Sequence, residues 1–558
     1  MRVLGVNAIY HDPAAALVVD GEIVAAAEEE RFSRRKHGKR PVPFAAWELP
    51  ELSARWCLDR AGLTAADLDV VTYSYDPALV RPAEEAGVPD PWDHLRTTYA
   101  QRAPNFLATA LPGLDPDVVR FVPHHVAHAA SAGLAAPHPE SAVLVLDGRG
   151  EAVSHLAGRY GADGALTVLA SQQLPHSLGL LYESVTEHLG FQRSSDEYKV
   201  MALASYGVPR HLPLLREAVR ATGDGGFRTE PVAWDALAKR RTGAGAVDHE
   251  LTSAHADLAA SVQVRLEEVL LDLARWLHQQ TGDRVLTMAG GVALNCVANS
   301  RLAAQGPFEH IWVQPAAGDS GTALGGALQA AADAGERAAP MPGAALGRGW
   351  TEQELAAWLD TARWPYERPA GITALADEVA QVLAADGVVA WFAGRSEYGP
   401  RALGHRSLLA SPARRDMLTK LNDVKGREQF RPVAPMIRLD RAGEVFDGPL
   451  PSPYMLFVHR VRPEWADRIP AVVHVDGTAR AQTVDPADEP EVAALLAAFE
   501  RRTGLPCLVN TSLNTAGRPM VDDPRDALEL FGSAPVDVLV LGPFLVRRPT
   551  VSPAGDRR

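Results

Sequence analysis

The sequence predicts a multidomain α/β protein, and three observations carry that expectation. At 558 residues the chain is longer than one hydrophobic core ordinarily organises. Short apolar strand-like runs alternate with longer helical periodicities. A stretch from Ala338 to Trp350, rich in Ala, Pro and Gly and without period, separates two such regions. The expected plan is a first domain over 1–340, a linker over 341–350 and a second domain over 351–558.

The first thirty residues read as a meander. RVLGVNA is a strand, AAALVVDG a second, and EIVAAAEEE a third or the start of a helix. Asp20-Gly21 is a tight-turn signal between the last two. The loop IYHDP, with His11 and Asp12, joins the first two. A second strand pair follows in AVLVLDGRGEAVSHLAGRY. An amphipathic helix is expected from Ser253 to Thr281, then a strand (RVLTMAGG), the loop GGVALN and another helix. The second α/β region runs from TEQELAAWLD to VLVLGPFLVRR, and no solenoid-type repeat is visible.

Composition narrows the function. Hydrophobic residues make up 47% and charged residues 22%, as in a folded globular protein. A net charge of −14 argues against a general nucleic-acid or anionic-membrane binder. Three cysteines without a CxxC do not build a disulfide framework, and MRVLGVNAIY has no apolar signal-peptide core. The expected location is the cytoplasm. No apolar run approaches a membrane span.

Four residues split across the chain suit a metal. His124 and His128, in VPHHVAHAASAG, are four apart, so one helical face presents both imidazoles. Asp147 ends an apolar strand run, and Asp319 opens a Gly-rich helix. Two His and two carboxylates suit a first-row divalent ion: Fe(II), Mn(II) or Zn(II). Taken singly, Asp147 could be a hairpin residue and Asp319 a helix cap; the set makes the case.

Three glycine-punctuated loops, NAIYHD, LDGRGE and MAGGVALN, can present backbone N–H groups to phosphate. Gly290, Gly291 and Asn295 belong to the last of them. Lys199, in SSDEYKVMALASYG, could reach a phosphate or could be a solvated helix-start residue; spacing does not decide. Residues 394–438 hold ten Lys or Arg, Arg401, Lys425 and Arg431 among them, against four acids. That local excess within an acidic chain implies an anionic ligand. Forked guanidinium groups suit phosphate or carboxylate oxygens. Arg480 and Gln482, with Asn510, Ser512 and Asn514, supply further polar groups.

Together HHVAHAASA, DGRGE, DEYKVMALASYG, GGVALN, GDSGTALGGA, GRSEYGPRALGHRS, KGREQFRPVAP, HVDGTARAQTV and NTSLNTAGRPMV resemble the O-carbamoyltransferases of the NodU/CmcH type. The resemblance spans nearly the whole chain. It implies an N-terminal domain of actin-like fold, similar to Kae1, and a C-terminal domain similar to YrdC. In the second, carbamoyl phosphate is cleaved and its carbamate adenylated by ATP, served by Mg2+. In the first, a metal site, with iron foremost, receives the carbamoyl-adenylate while a small-molecule alcohol attacks. By this resemblance His124, His128, Asp147 and Asp319 are the metal ligands, and His11 helps to deprotonate the alcohol. Lys425, Arg431, Arg480 and Ser512, with Arg401 and Asn510, line the carbamoyl phosphate and ATP pocket. GHRS and NTSLN depart from the usual Asn before the Arg and from NTSFN, and neither change removes a ligand.

Two other readings stand beside it. A tRNA threonylcarbamoyl-type enzyme would use relatives of both domains, but the acidic balance counts against nucleic acid as a partner. A kinase-like member of the actin fold would release ADP rather than AMP. The acceptor pocket is expected in the variable segments 74–105 and 208–250. A homodimer is the base-rate assembly.

Overall fold

The computed structural model describes residues 1–38, 48–88, 90, 92–241 and 251–548; residues 242–250 of the expected acceptor segment lie outside them. The chain divides into two compact units, Met1–Leu346 with Tyr398–Pro400, and Gly347–Glu397 with Arg401–Arg558.

The first unit is built from two five-stranded sheets. Strands β1 (Arg2–Asn7), β2 (Ala14–Val19), β3 (Glu22–Glu28), β4 (Val70–Tyr73) and β5 (Val119–Phe121) form one, in the order β3-β2-β1-β4-β5. β1–β2 and β2–β3 are antiparallel, β1–β4 and β4–β5 parallel. EIVAAAEEE is thus both things its sequence allowed: β3, then a short helix over Glu30–Ser33.

β6 (Ser141–Leu146), β7 (Val153–Tyr160) and β8 (Leu166–Gln173) start the second sheet. A short ribbon of β9 (Val219–Ala221) and β10 (Phe227–Thr229) intervenes before β11 (Val285–Ala289) and β12 (His310–Val313) complete it, in the order β12-β11-β6-β7-β8. Again two antiparallel pairings extend from the first strand on one side and two parallel pairings on the other. One strand plan therefore occurs twice. The plan depends on strand polarity and crossover connections rather than on particular side chains.

Two helices fill the space against these sheets. Helix Ser320–Asp333 packs on β1, β2 and β4; helix His124–Gly133 packs on β6, β7 and β11; and the two pack on each other. Their sequences, SGTALGGALQAAAD and HHVAHAASAG, are dominated by small residues, which lets the backbones approach closely. A Cβ on Gly325 would lie 1.8 Å from the Ala127 carbonyl oxygen, and one on Gly5 of β1 would lie 1.8 Å from that of Ala323. Neither obstacle is a side chain that can turn away. Gly325→Val should therefore cost about 3 kcal/mol or more, the upper range for an overpacked core. Thermal denaturation should show a clear fall in Tm or a loss of folded protein; an unchanged Tm would contradict this packing.

The second unit centres on an eight-stranded mixed sheet. Its strands are β13 (Tyr366–Glu367), β14 (Val389–Phe392), β15 (Arg406–Ala410), β16 (Ala434–Arg438), β20 (Gln482–Val484), β21 (Cys507–Ser512), β22 (Val538–Leu541) and β23 (Phe544–Arg547). The order is β13-β23-β22-β14-β15-β21-β16-β20, and β17 (Phe446–Asp447), β18 (His459–Val461) and β19 (Thr478–Ala479) form a small sheet beside it. Trp391, Phe392, Phe499 and Phe531 are fully buried in its core. The expected linker is irregular but tied down: Met341 N–H donates to Ala135 O, while Arg348 pairs with Asp522 at 2.8 Å.

Candidate metal centre and anion pocket

The histidines open their helix, and Glu151 fixes that start. Its buried carboxylate accepts from the backbone N–H of His124 and of Asp76, both at 2.8 Å. Helix periodicity then places His128 one turn on, on the same face. His124 Nδ1–H donates to Ser74 O at 3.1 Å, which turns its Nε2 toward the site. Asp147 follows the end of β6, and the 290–291 turn holds it. Gly291 N–H donates to Asp147 Oδ1 at 2.8 Å, and Gly290 (φ 90°) lies where a Cβ would be 2.1 Å from Leu146 O. Asp319 precedes helix Ser320–Asp333 without capping it; its Oδ2 accepts from His11 N–H at 3.2 Å.

The four side chains converge. His124 Nε2 lies 3.4 Å from Asp147 Oδ2 and 3.7 Å from Asp319 Oδ1. His128 Nε2 lies 3.8 and 3.7 Å from the same two oxygens. All four residues are buried, and neither Nε2 has a hydrogen-bond partner. Burial opposes charge on His124, but Asp147 and Asp319 outweigh it and hold the imidazole well above its ordinary pKa. Burial likewise opposes charge on Asp147, while His124 and His128 pull its carboxyl far below the usual range. His125, on the same helix, is pushed down to about 3 by burial and by His124, so it stays neutral. Buried carboxylates and imidazoles whose Nε2 atoms have no hydrogen-bond partner are a donor set that fits a divalent first-row cation once the His124 proton is displaced.

The other expected residues fall in several places. His11 joins the centre through its backbone and bonds Asp12 through Nδ1. Asn295 Oδ1 caps helix Cys296–Gln305 at Ala298 N–H, and Asn295 Nδ2 donates to Gln263. Lys199 pairs with Asp196 at 3.1 Å.

In the second unit, Lys425 ends helix Asp416–Lys425 and is buried. Its Nζ donates to the backbone and side-chain oxygens of Ser512 (2.5 and 3.1 Å) and Asn514 (3.1 and 2.5 Å), all neutral. Asn510, on β21, donates to Gln482 Oε1 at 2.7 Å, and Gln482 donates to Leu403 O. Arg431 pairs with Glu428 at 3.4 Å, and Arg401 is half-buried. Arg480 carries a buried Nε without a partner, and beside it burial pushes His474 down to about 4.

Part of the basic run has structural work. Arg406 is fully buried over the Phe392 ring and donates to the carbonyls of Ala393 and Arg348. Arg414 and Arg438 pair with Asp416 and Asp440. The charge excess read from sequence thus overstates what is available to a ligand.

Comparison with known families defines the class. A model of the carbamoyltransferase N-terminus matches residues 2–111 and 94–328, and one of the carbamoyltransferase C-terminus matches 380–548. Fold, site and these matches define a group-transfer enzyme. The chain belongs to the carbamoyltransferase family. Its relatives include nodulation protein NolNO of Sinorhizobium fredii, 36% identical over 98% of this chain and 80% of that protein. An uncharacterized protein of Synechocystis, sll1178, is also 36% identical, over 98% of this chain and 97% of its own length. Nodulation protein U of Rhizobium tropici is 33% identical over 95% and 93%.

Proposed function

We propose that the chain is an ATP-dependent O-carbamoyltransferase acting on a small-molecule alcohol, with one half-reaction in each unit. The observation that carries this is the buried His124–His128–Asp147–Asp319 centre, in a carbamoyltransferase whose second unit gathers Ser512 and Asn514 oxygens around the buried Lys425 ammonium. The strand plan repeated in the first unit supports an actin-like fold there. A YrdC-like role for the second unit rests on the motifs around Lys425, Arg431, Arg480 and Ser512.

In the second unit, water cleaves carbamoyl phosphate to carbamate and inorganic phosphate; a carbamate oxygen then attacks the α-phosphorus of ATP, and pyrophosphate leaves. Lys425, with Arg431, Arg480, Ser512, Arg401 and Asn510 around the pocket, offsets the phosphate charge. The exchange matters because nitrogen donates into a carbamoyl carbonyl and makes it a poor electrophile; AMP is the better leaving group. In the first unit the alcohol oxygen bonds to the carbamoyl carbon, the bond to AMP breaks, and His11 takes the hydroxyl proton. His124, His128, Asp147 and Asp319 would hold the divalent ion, iron foremost, which supplies Lewis-acid polarisation when bound. ATP would bring Mg2+. Among the described residues no helix is long and apolar enough to cross a membrane.

Radiolabelled carbamoyl phosphate tests the whole reaction against a panel of sugar, aminoglycoside, nucleoside and macrolide alcohols. Label should reach an alcohol only when ATP is present; label transfer without ATP would overturn the adenylate route. The metal reading has its own test. His124 is held above its ordinary pKa, so at neutral pH it carries a proton that an incoming ion must displace. Affinity for Fe(II) or Mn(II) should rise with pH. Calorimetry in buffers of different ionisation heat should show about one proton released per ion. Binding without proton release would remove His124 from the ligand set.

A further inference from the structure

The loop between β1 and β2 holds more chemistry than His11. Asn7, fully buried at the end of β1, donates through Nδ2 to the carbonyls of His11 (2.9 Å) and Asp12 (3.0 Å). The Asp12 carboxylate is shared between two imidazoles. Its Oδ2 accepts from His11 Nδ1 at 2.8 Å and its Oδ1 from His37 Nδ1 at 2.9 Å. A carboxylate only accepts, so both Nδ1 atoms carry the proton. In the neutral ring His37 Nε2 then accepts from Ser195 Oγ–H at 2.8 Å. His37 is anchored again by its backbone N–H, which donates to Glu30 Oε2 at 2.8 Å. The two rings lie 4.2 Å apart between centroids.

Backbone strain gathers at the same place. Tyr10 (φ 50°), Asp12 (φ 44°), His37 (φ 60°) and Ser194 (φ 57°) are non-glycine residues in the left-handed region. Each such residue costs on the order of 1 kcal/mol, and the surrounding bonds must impose it. His37 ties these segments together: its Nδ1 reaches Asp12, 25 residues away in sequence, and its Nε2 reaches Ser195, 158 residues away.

We propose that Asp12 and His37 are positioning residues for carbamoyl transfer. The proposal rests on the reading of His11 as the group that takes the alcohol proton. Asp12 fixes the His11 tautomer and ring plane, with Nδ1–H engaged and Nε2 on the far side of the ring. His37, itself held by Ser195, occupies the other carboxylate oxygen and stops Asp12 from rotating away. In the step, the hydroxyl proton passes to His11 Nε2 as the C–O bond forms and AMP leaves; Asp12 stays ionised and stabilises the imidazolium.

The test uses the full chain with Fe(II), ATP and carbamoyl phosphate, and two small nucleophiles. Glycerol needs its proton removed; hydroxylamine attacks without such help. Asp12→Asn and His37→Ala should lower kcat for glycerol about a hundredfold or more, with KM little changed and transfer to hydroxylamine falling far less. His37→Asn, which keeps an N–H donor toward Asp12, should recover part of the loss. Equal losses with both nucleophiles, or undiminished glycerol transfer, would overturn the proposal and leave a purely structural latch. A second measurement needs no turnover. The His11 and His37 Nδ1–H protons should give two downfield, slowly exchanging NMR signals in the wild type that vanish in Asp12→Asn; their absence from the wild type also overturns it. Failure of the wild type to release pyrophosphate is a different result, and strikes the transfer reading on which the proposal rests.

Discussion

Asp147→Asn should abolish carbamoyl transfer while leaving pyrophosphate release intact. The substitution keeps an oxygen at the Oδ1 position to accept from Gly291 N–H, so the 290–291 turn need not move. What it removes is the negative charge 3.4 Å from His124 Nε2. That charge is part of what holds the buried imidazoles and carboxylates in balance, and a neutral amide is a far weaker donor to a divalent ion. A loss of about a thousandfold or more in transfer is expected, equivalent to about 4 kcal/mol of barrier. Metal content by elemental analysis should fall with it. Full transfer activity in a metal-free Asp147→Asn protein would remove the centre from the mechanism.

Lys425→Met should have the complementary effect. The ammonium gathers oxygens of Ser512 and Asn514 into one buried point at the end of its helix. Methionine keeps the length and loses every donor. Two costs follow. The oxygens left behind lose a charged partner, about 1–3 kcal/mol of stability in the second unit. Transition-state phosphate charge also goes uncompensated, and one lost donor of this kind costs about 10²–10³ in rate. Pyrophosphate formation should therefore collapse while metal binding at the first unit persists. Lys425→Arg should not rescue, because a planar fork cannot place one nitrogen among the same oxygens. Pyrophosphate release at the wild-type rate by Lys425→Met would place the adenylation chemistry elsewhere.

Much of the centre was legible because local geometry dictates it. Two histidines at helical spacing must share a face, and an aspartate closing a buried strand must sit at the sheet's end. The helix over Ser253–Thr281 was legible for the same reason, from its long apolar period. What sequence could not show depends on long-range pairing. Asp12, His37 and Ser195 meet only because β1, the short helix after β3 and the segment before helix Glu197–Ala204 are brought together. Glu151 lies in DGRGE, four residues past Asp147, yet its role in starting the His124 helix follows from a hydrogen bond rather than from spacing. Arg406 counted toward a basic patch and proved to be core, since a guanidinium that donates to buried carbonyls leaves no mark in a charge count. The repeated strand plan was not read from the residues, because pairing direction is set by long-range contacts rather than by residue identity.

Adenylation of the carbamate derived from carbamoyl phosphate, before transfer, is what the two half-reactions turn on. The most direct measurement mixes the wild-type protein with Fe(II) and ATP, with and without carbamoyl phosphate and without any acceptor, and quantifies pyrophosphate against ADP. Pyrophosphate should form only when carbamoyl phosphate is present. ADP in its place would mean phosphoryl rather than adenylyl transfer, and would contradict it.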